Sequence, residues 1–105
     1  RVTIETLEGA REPTSESPVA VPAFTLLQRT VREVFPDALT SPFLVLGGTD
    51  SRHFQIVSDN VYRFTPIEGD PSVLKRIHGT DERISVDNYE RAVRFFARLM
   101  QNGAS

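Results

Sequence analysis

Helix-spaced apolar positions alternating with short β-type runs predict a layered α/β fold, a partial sheet with flanking helices. Three observations carry this expectation. Phe24, Leu27, Val31 and Val34 or Phe35 recur at helix spacing. Phe43-Leu44-Val45-Leu46 is a continuous apolar run ending at Gly47-Gly48, as a strand buried on both faces would. Tyr89, Val93, Phe96 and Met100 mark the apolar stripe of a helix near the end of the chain.

The elements follow in order. Val2, Ile4 and Leu7 alternate with Thr3, Glu5 and Thr6, the pattern of a half-buried strand. From Glu8 to Pro22 come three prolines, a glycine and several Ser, Thr and Glu residues, which read as an extended linker or crossing loop at a domain boundary. Pro22 suits the first turn of the helix that follows, and Pro36 ends it. The run 43–46 is the buried strand, and Asn60 to Ile67 supplies another, with Val61, Arg63 and Thr65 alternating against Tyr62, Phe64 and Pro66. After Asp70-Pro71 a short helical stretch through Val73, Leu74 and Ile77 leads to His78. Ser85, with Asp87 in the first turn, caps a last helix running to about Gln101. Its Tyr89, Phe95 and Phe96 are expected in the core, and Arg91, Arg94 and Arg98 on its solvated face.

Bulk properties exclude several classes of function. The 105 residues fit one domain, and 39% apolar with 25% charged residues describe a soluble globular chain. A net charge of −2 without a basic run leaves no electrostatic footprint for nucleic acid. No apolar stretch is long enough to span a bilayer, and the start alternates like a strand rather than a signal peptide. The absence of cysteine excludes disulfides, a thiol nucleophile and thiolate zinc sites, and it fits a reducing, cytoplasmic compartment. The chain starts with Arg1 rather than Met, which suits a processed product or a part of a longer protein.

Two polar strings stand where the apolar pattern breaks off: Gly47-Gly48-Thr49-Asp50-Ser51-Arg52-His53-Phe54 and His78-Gly79-Thr80-Asp81-Glu82-Arg83-Ile84. Loops placed by a scaffold are where chemistry tends to sit. Gly47-Gly48 would let a ligand approach the main chain, with Thr49, Asp50, Ser51 and Arg52 at the carboxyl end of the expected strand. The planar fork of Arg52 suits a substrate carboxylate. The plainer reading is a turn in which Asp50 caps a short helix and Arg52 is solvated. His78 could ligate zinc, or it could be a loop histidine beside a surface ion pair among Asp81, Glu82 and Arg83. His53 could simply pack beside Phe54. The two histidines alone fall short of the three protein ligands zinc normally takes. Ser51, His78 and Asp81 lack the sequence context of a nucleophile elbow.

Taken together, these residues resemble the C-terminal part of M20-family zinc metallopeptidases, in the branch holding carboxypeptidase S, Gly-Xaa carboxypeptidase and N-acyl-amino-acid hydrolases. The resemblance rests on five ordered matches: Glu12-Pro13 with Ser17-Pro18, Val34-Phe35-Pro36, the string from Gly47 to His53, Val61-Tyr62-Arg63-Phe64, and the string from His78 to Ile84. It implies hydrolysis of peptide or N-acyl bonds beside a free carboxylate, using two zinc ions. It further implies that His78 is a metal ligand and that Gly48, Thr49, Asp50 and Arg52 lie near the substrate, while no metal role carries over to His53. Residues 1–10 resemble the last strand of an otherwise absent lid domain, 11–21 the linker, and 22–105 the C-terminal part of the catalytic domain. The family's other zinc ligands and its general-base glutamate have no counterpart here. The expectation is therefore a fragment that is inactive alone, does not retain the zinc pair, lacks catalytic residues of its own, and needs the remainder of the catalytic domain as partner. Its exposed edges and apolar surface would favour homo-oligomers. The rival expectation is a non-catalytic α/β binding or interaction module.

Overall fold

The computed structural model describes residues 2–6, 8, 9, 11–69 and 71–104, without the side chains of Pro71 and Leu74. The expected places of Leu7 in a strand and Asp70 in a break lie outside the described residues. Three α-helices are present: α1 (Pro22–Val34), α2 (Pro71–Arg76) and α3 (Val86–Gly103), with a 3₁₀ helix at Asp50–Ile56 between the first two.

Helix α1 begins where the sequence predicts. Pro22 occupies the first turn, where its missing N–H is no loss, and the Val21 carbonyl accepts from Phe24 N (3.1 Å) and Thr25 N (3.2 Å). Phe35 leaves helical space at φ −126°, ψ 75° while its N–H still reaches Val31 O at 2.7 Å, and Pro36 follows. Helix α3 begins at Ser85, whose hydroxyl accepts from Asn88 N at 3.2 Å, with Asp87 in its first turn.

The core is the seam between α1 and α3. Val31, Phe35 and Phe95 are buried, with Leu27, Val34 and Leu99 packed against them, and Phe95 is 0% exposed. Phe95 meets Phe35 and Phe64 at ring-centroid distances of 6.4 and 5.0 Å. A polar seam continues this contact. Thr30 Oγ1 donates to Leu26 O at 2.9 Å and accepts from Asn102 Nδ2 at 3.0 Å, while Glu33 accepts from Asn102 Nδ2 (2.9 Å) and Arg98 Nε (2.6 Å).

Helix α3 corrects one expectation. The stripe of Tyr89, Val93, Phe96 and Met100 faces solvent, and the helix turns Phe95 and Leu99 inward instead. The reason is the partner: Phe35 and the Thr30–Glu33 turn of α1 accept the face that carries Phe95, Arg98 and Asn102. Arg94 and Arg98 are exposed, as expected of the solvated face of α3, and Arg91 and Arg98 pair there with Glu68 and Glu33.

The expected α/β layering is also corrected. Among the described residues there is no β-strand and no sheet. Alternation shows which side chains a strand would present, but a strand exists only through hydrogen bonds to a neighbour. Segment 43–46 has none, and Phe43 and Leu46 are 84% and 95% exposed. Val2 and Ile4 are likewise exposed. Segment 60–68 bonds to side chains instead. Val61 N and O both pair with Ser17 Oγ at 3.0 and 2.9 Å, and Glu68 N and O pair with the Asn88 amide at 3.0 and 2.6 Å.

The consequence is an open molecule. Its radius of gyration is 16.8 Å, against ~13 Å for a compact domain of this length. Its accessible surface is 9114 Å², against roughly 5,900 Å² for a folded monomer of this mass.

Candidate functional site

The first polar string forms a capped 3₁₀ helix. Thr49 sits in extended conformation (φ −142°, ψ 163°), and its Oγ1 accepts from Ser51 N at 3.3 Å. The cap is therefore Thr49, and Asp50 stands in the first turn rather than capping it. Two hydroxyls, Thr49 Oγ1 and Ser51 Oγ, are paired at 2.5 Å. A Cβ at Gly47 or Gly48 would meet nothing within 4 Å, so no described residue requires glycine there by close approach.

Two side chains, Arg63 and Gln55, tie this loop to the rest. Arg63 Nε donates to Ser51 Oγ (2.5 Å) and Thr49 Oγ1 (3.2 Å), and its Nη2 donates to Thr14 Oγ1 (3.2 Å). Beside it, Gln55 Nε2 donates to Ser15 O at 2.8 Å and Tyr62 Oη to Pro18 O at 2.6 Å. Burial pushes the Tyr62 phenol above its usual value, and its ring lies 5.4 Å from that of Phe24. The stretch expected as a linker is thus pinned at Thr14, Ser15, Ser17 and Pro18.

Linker and loop face a single broad groove, lined among others by Thr14, Gly48, Thr49, Arg52, Tyr62 and Arg63. Its volume of about 1280 Å³ exceeds the ~300–1,000 Å³ usual for a small-molecule pocket, as suits a broad, open groove. Arg52 is half-buried on this groove rather than solvated; its N–H donates to Thr49 O at 3.3 Å, while its guanidinium has no hydrogen bond or ion pair among the described residues. Asp50, also expected near a substrate, is not in the groove lining. His53 is exposed, and so is the neighbouring Phe54.

The second string lies apart from the groove, in the turn after α2. His78 adopts φ 62°, a left-handed conformation that costs a side-chain-bearing residue about 1–2 kcal/mol and usually selects glycine after a helix. Two contacts hold it: His78 N donates to Glu82 Oε2 at 3.2 Å, and Gly79 N to Arg76 O at 2.8 Å. A Cβ at Gly79 would stand 3.0 Å from that same carbonyl oxygen, a tight contact that favours glycine. Arg83 Nη1 bonds both oxygens of Asp81 at 2.6 and 2.8 Å, the surface ion pair expected of this string. The His78 side chain is exposed, and among the described residues no three His, Asp or Glu side chains gather as a metal-binding group.

The two strings are thus well ordered but not brought into one site. Arg63 escaped the sequence reading as a functional residue. It was legible as one position of an alternating run and of the string Val61-Tyr62-Arg63-Phe64, with no role attached, and its hydroxyl partners lie 12, 14 and 49 positions away.

With this geometry in view, similarity to known proteins is specific. The family model for Peptidase family M20/M25/M40 matches residues 1–102. The chain belongs to that family. It is 36% identical over 102 residues to "Probable carboxypeptidase S-like 2" of Dictyostelium discoideum, covering 97% of this chain and 20% of that protein. It is 44% identical over 91 residues to "N-fatty-acyl-amino acid synthase/hydrolase PM20D1" of Homo sapiens, covering 86% of this chain and 18% of that protein. It is 28% identical over 105 residues to "Carboxypeptidase S" of Saccharomyces cerevisiae, covering 92% and 18% respectively. The chain spans about a fifth of the length of these relatives. No solved structure matches it significantly. No helix among the described residues is long and apolar enough to cross a membrane.

Proposed function

We propose that this chain is the C-terminal part of a metallohydrolase that cleaves peptide or N-acyl-amino-acid amide bonds beside a free carboxylate, and that it is inactive as an isolated piece. One observation carries the reading: the family match runs through residues 1–102 and so includes both polar strings. The names of the relatives, a carboxypeptidase and an N-fatty-acyl-amino acid synthase/hydrolase, supply the substrate class. The excess accessible surface supports incompleteness, since it is several times the ~800 Å² that one partner buries in a standard interface. In this reading residues 1–10 end a lid domain, 11–21 link it, and 22–105 belong to the catalytic domain.

Within that protein, Arg52 receives the substrate carboxylate, with Gly48, Thr49 and Asp50 beside the substrate. A half-buried guanidinium facing a groove, with no carboxylate paired to it among the described residues, suits this role. His78 is a ligand of the zinc pair. The strained backbone at His78 supports it, because a non-glycine residue kept at a left-handed position points to a need for its side chain. The described residues alone do not make a zinc centre. The other ligands and the general base are assigned to the remaining parts of the protein, and no chemical step is assigned to the metal.

The test is made in the intact protein. His78→Ala is expected to lower bound zinc, measured by elemental analysis, and to abolish most turnover of an N-acyl amino acid. Wild-type zinc content and turnover would refute the ligand role. Arg52→Ala is expected to raise KM for free-carboxylate substrates and to spare their amides. Equal losses for both would count against it.

A further inference from the structure

We propose that Arg63 is a positioning residue that clamps the Thr49–Ser51 loop to the linker and thereby sets where Arg52 stands. The proposal rests on the reading of that loop as the carboxylate-binding side of a substrate site, but the clamp itself is tested separately below.

Apart from Gln55, whose Nε2 donates to Ser15 O at 2.8 Å, the loop has little else to hold it. No described atom approaches the Cβ positions of Gly47 or Gly48, and the preceding run 43–46 is exposed. No residue of the 3₁₀ helix is buried. Against this loose background Arg63 makes three hydrogen bonds, to Ser51, Thr49 and Thr14. All three acceptors are neutral hydroxyls, and no described carboxylate pairs with Arg63. A guanidinium in such a setting keeps its charge on the groove, where it adds to that of Arg52. The partner set also explains why arginine is needed. Its planar fork places Nε and Nη2 at a fixed angle, so one side chain can bridge loop and linker at once, whereas lysine presents a single flexible ammonium.

The linker end of the clamp is itself anchored. Ser17 is bonded to both backbone groups of Val61, and Tyr62 to Pro18 O. Residues 61–63 therefore grip the linker from one side while Arg63 grips the loop from the other. Thr49 carries two duties, since the hydroxyl that accepts from Arg63 also caps the 3₁₀ helix on which Arg52 sits two residues after Asp50. A shift of the linker is passed through Thr14, Arg63 and Thr49 to the start of that helix.

The test uses the intact protein with Arg63→Lys, Arg52→Ala and the double variant. Hydrogen exchange reads the clamp directly and needs no activity. Arg63→Lys is expected to raise amide exchange at 49–56 at least tenfold while leaving α1 and α3 unchanged. Unchanged exchange in that segment, or an equal rise throughout the molecule, overturns the clamp. Kinetics reads its consequence. Arg63→Lys is expected to raise KM for a free-carboxylate N-acyl amino acid about tenfold, the size of one lost charge-assisted hydrogen bond, with kcat little changed. In the Arg52→Ala background the same change is expected to have almost no further effect, because both act through one contact. Additive effects, or a loss confined to kcat, overturn the positioning role. If Arg52→Ala alone leaves KM unchanged while exchange responds to Arg63→Lys, the carboxylate reading of the loop fails and the clamp stands.

Discussion

His78 shows how a single residue can be held against its own conformational preference. At φ 62° its side chain occupies a position where glycine would be at ease, next to Gly79, where a Cβ would crowd the Arg76 carbonyl. His78→Gly is therefore expected to raise stability by about 1 kcal/mol in urea unfolding while lowering zinc content of the intact protein. Opposite signs in the two measurements would mark a position kept for chemistry. A loss of stability instead would show that the imidazole contributes packing or bonding of its own. Of the candidate site residues, His78, Thr49 and Arg52 were legible because charges and hydroxyls gather where the apolar pattern stops. The capping duty of Thr49 was not, since Thr and Asp are both good caps and only the backbone geometry decides between neighbours. Arg63 was hidden for a different reason. Its role depends on three hydroxyls that the fold, not their spacing, brings to it.

At the level of elements, the α1–α3 pair concentrates most of the stability that the chain can generate. Phe95→Ala is expected to cost about 3–5 kcal/mol and unfold the pair, read by far-ultraviolet circular dichroism. Ser85→Ala, which removes the cap on Asn88 N, is expected to cost about 1 kcal/mol. The polar seam adds a pH dependence. The Asn102 amide and then the Arg98 guanidinium, bonded to Glu33, hold its carboxyl below the usual glutamate value, with the charges of Arg98 and Arg29 adding to this and burial opposing it. Because the folded value is depressed, this stabilisation is fully present above the ordinary glutamate range. It is lost as pH falls through the folded value. Wild type is thus expected to lose more stability than Glu33→Gln between pH 7 and about pH 3. Parallel losses in urea titrations of the two proteins would show that Glu33 contributes nothing to the acid limb. The boundaries of α1 and α3 were readable from Pro22, Pro36 and Ser85. The buried face of α3 was not, because both Phe95 and Phe96 lie on apolar stripes and the choice belongs to α1.

For the whole molecule, surface and size are the informative quantities. An accessible area of 9114 Å² and a radius of gyration of 16.8 Å describe a chain with little core for its length. Exposed Phe43, Leu44, Leu46, Val93, Phe96 and Met100 extend over both the groove side and α3. The isolated chain is expected to bind a hydrophobic dye and to self-associate with rising concentration in sedimentation velocity. A compact, dye-free monomer with a radius near ~13 Å would contradict both the openness of the fold and the proposal that other parts of a protein cover it. The sequence by itself determined the ends of α1, the Ser85 cap of α3 and the family, because caps, proline and ordered motifs act over a few residues. Tertiary structure decided that the β-like runs form no sheet, which face of α3 is buried and that Arg63 joins linker to loop. Each of these depends on partners distant in sequence, and residue patterns show what a segment can offer but not what it meets.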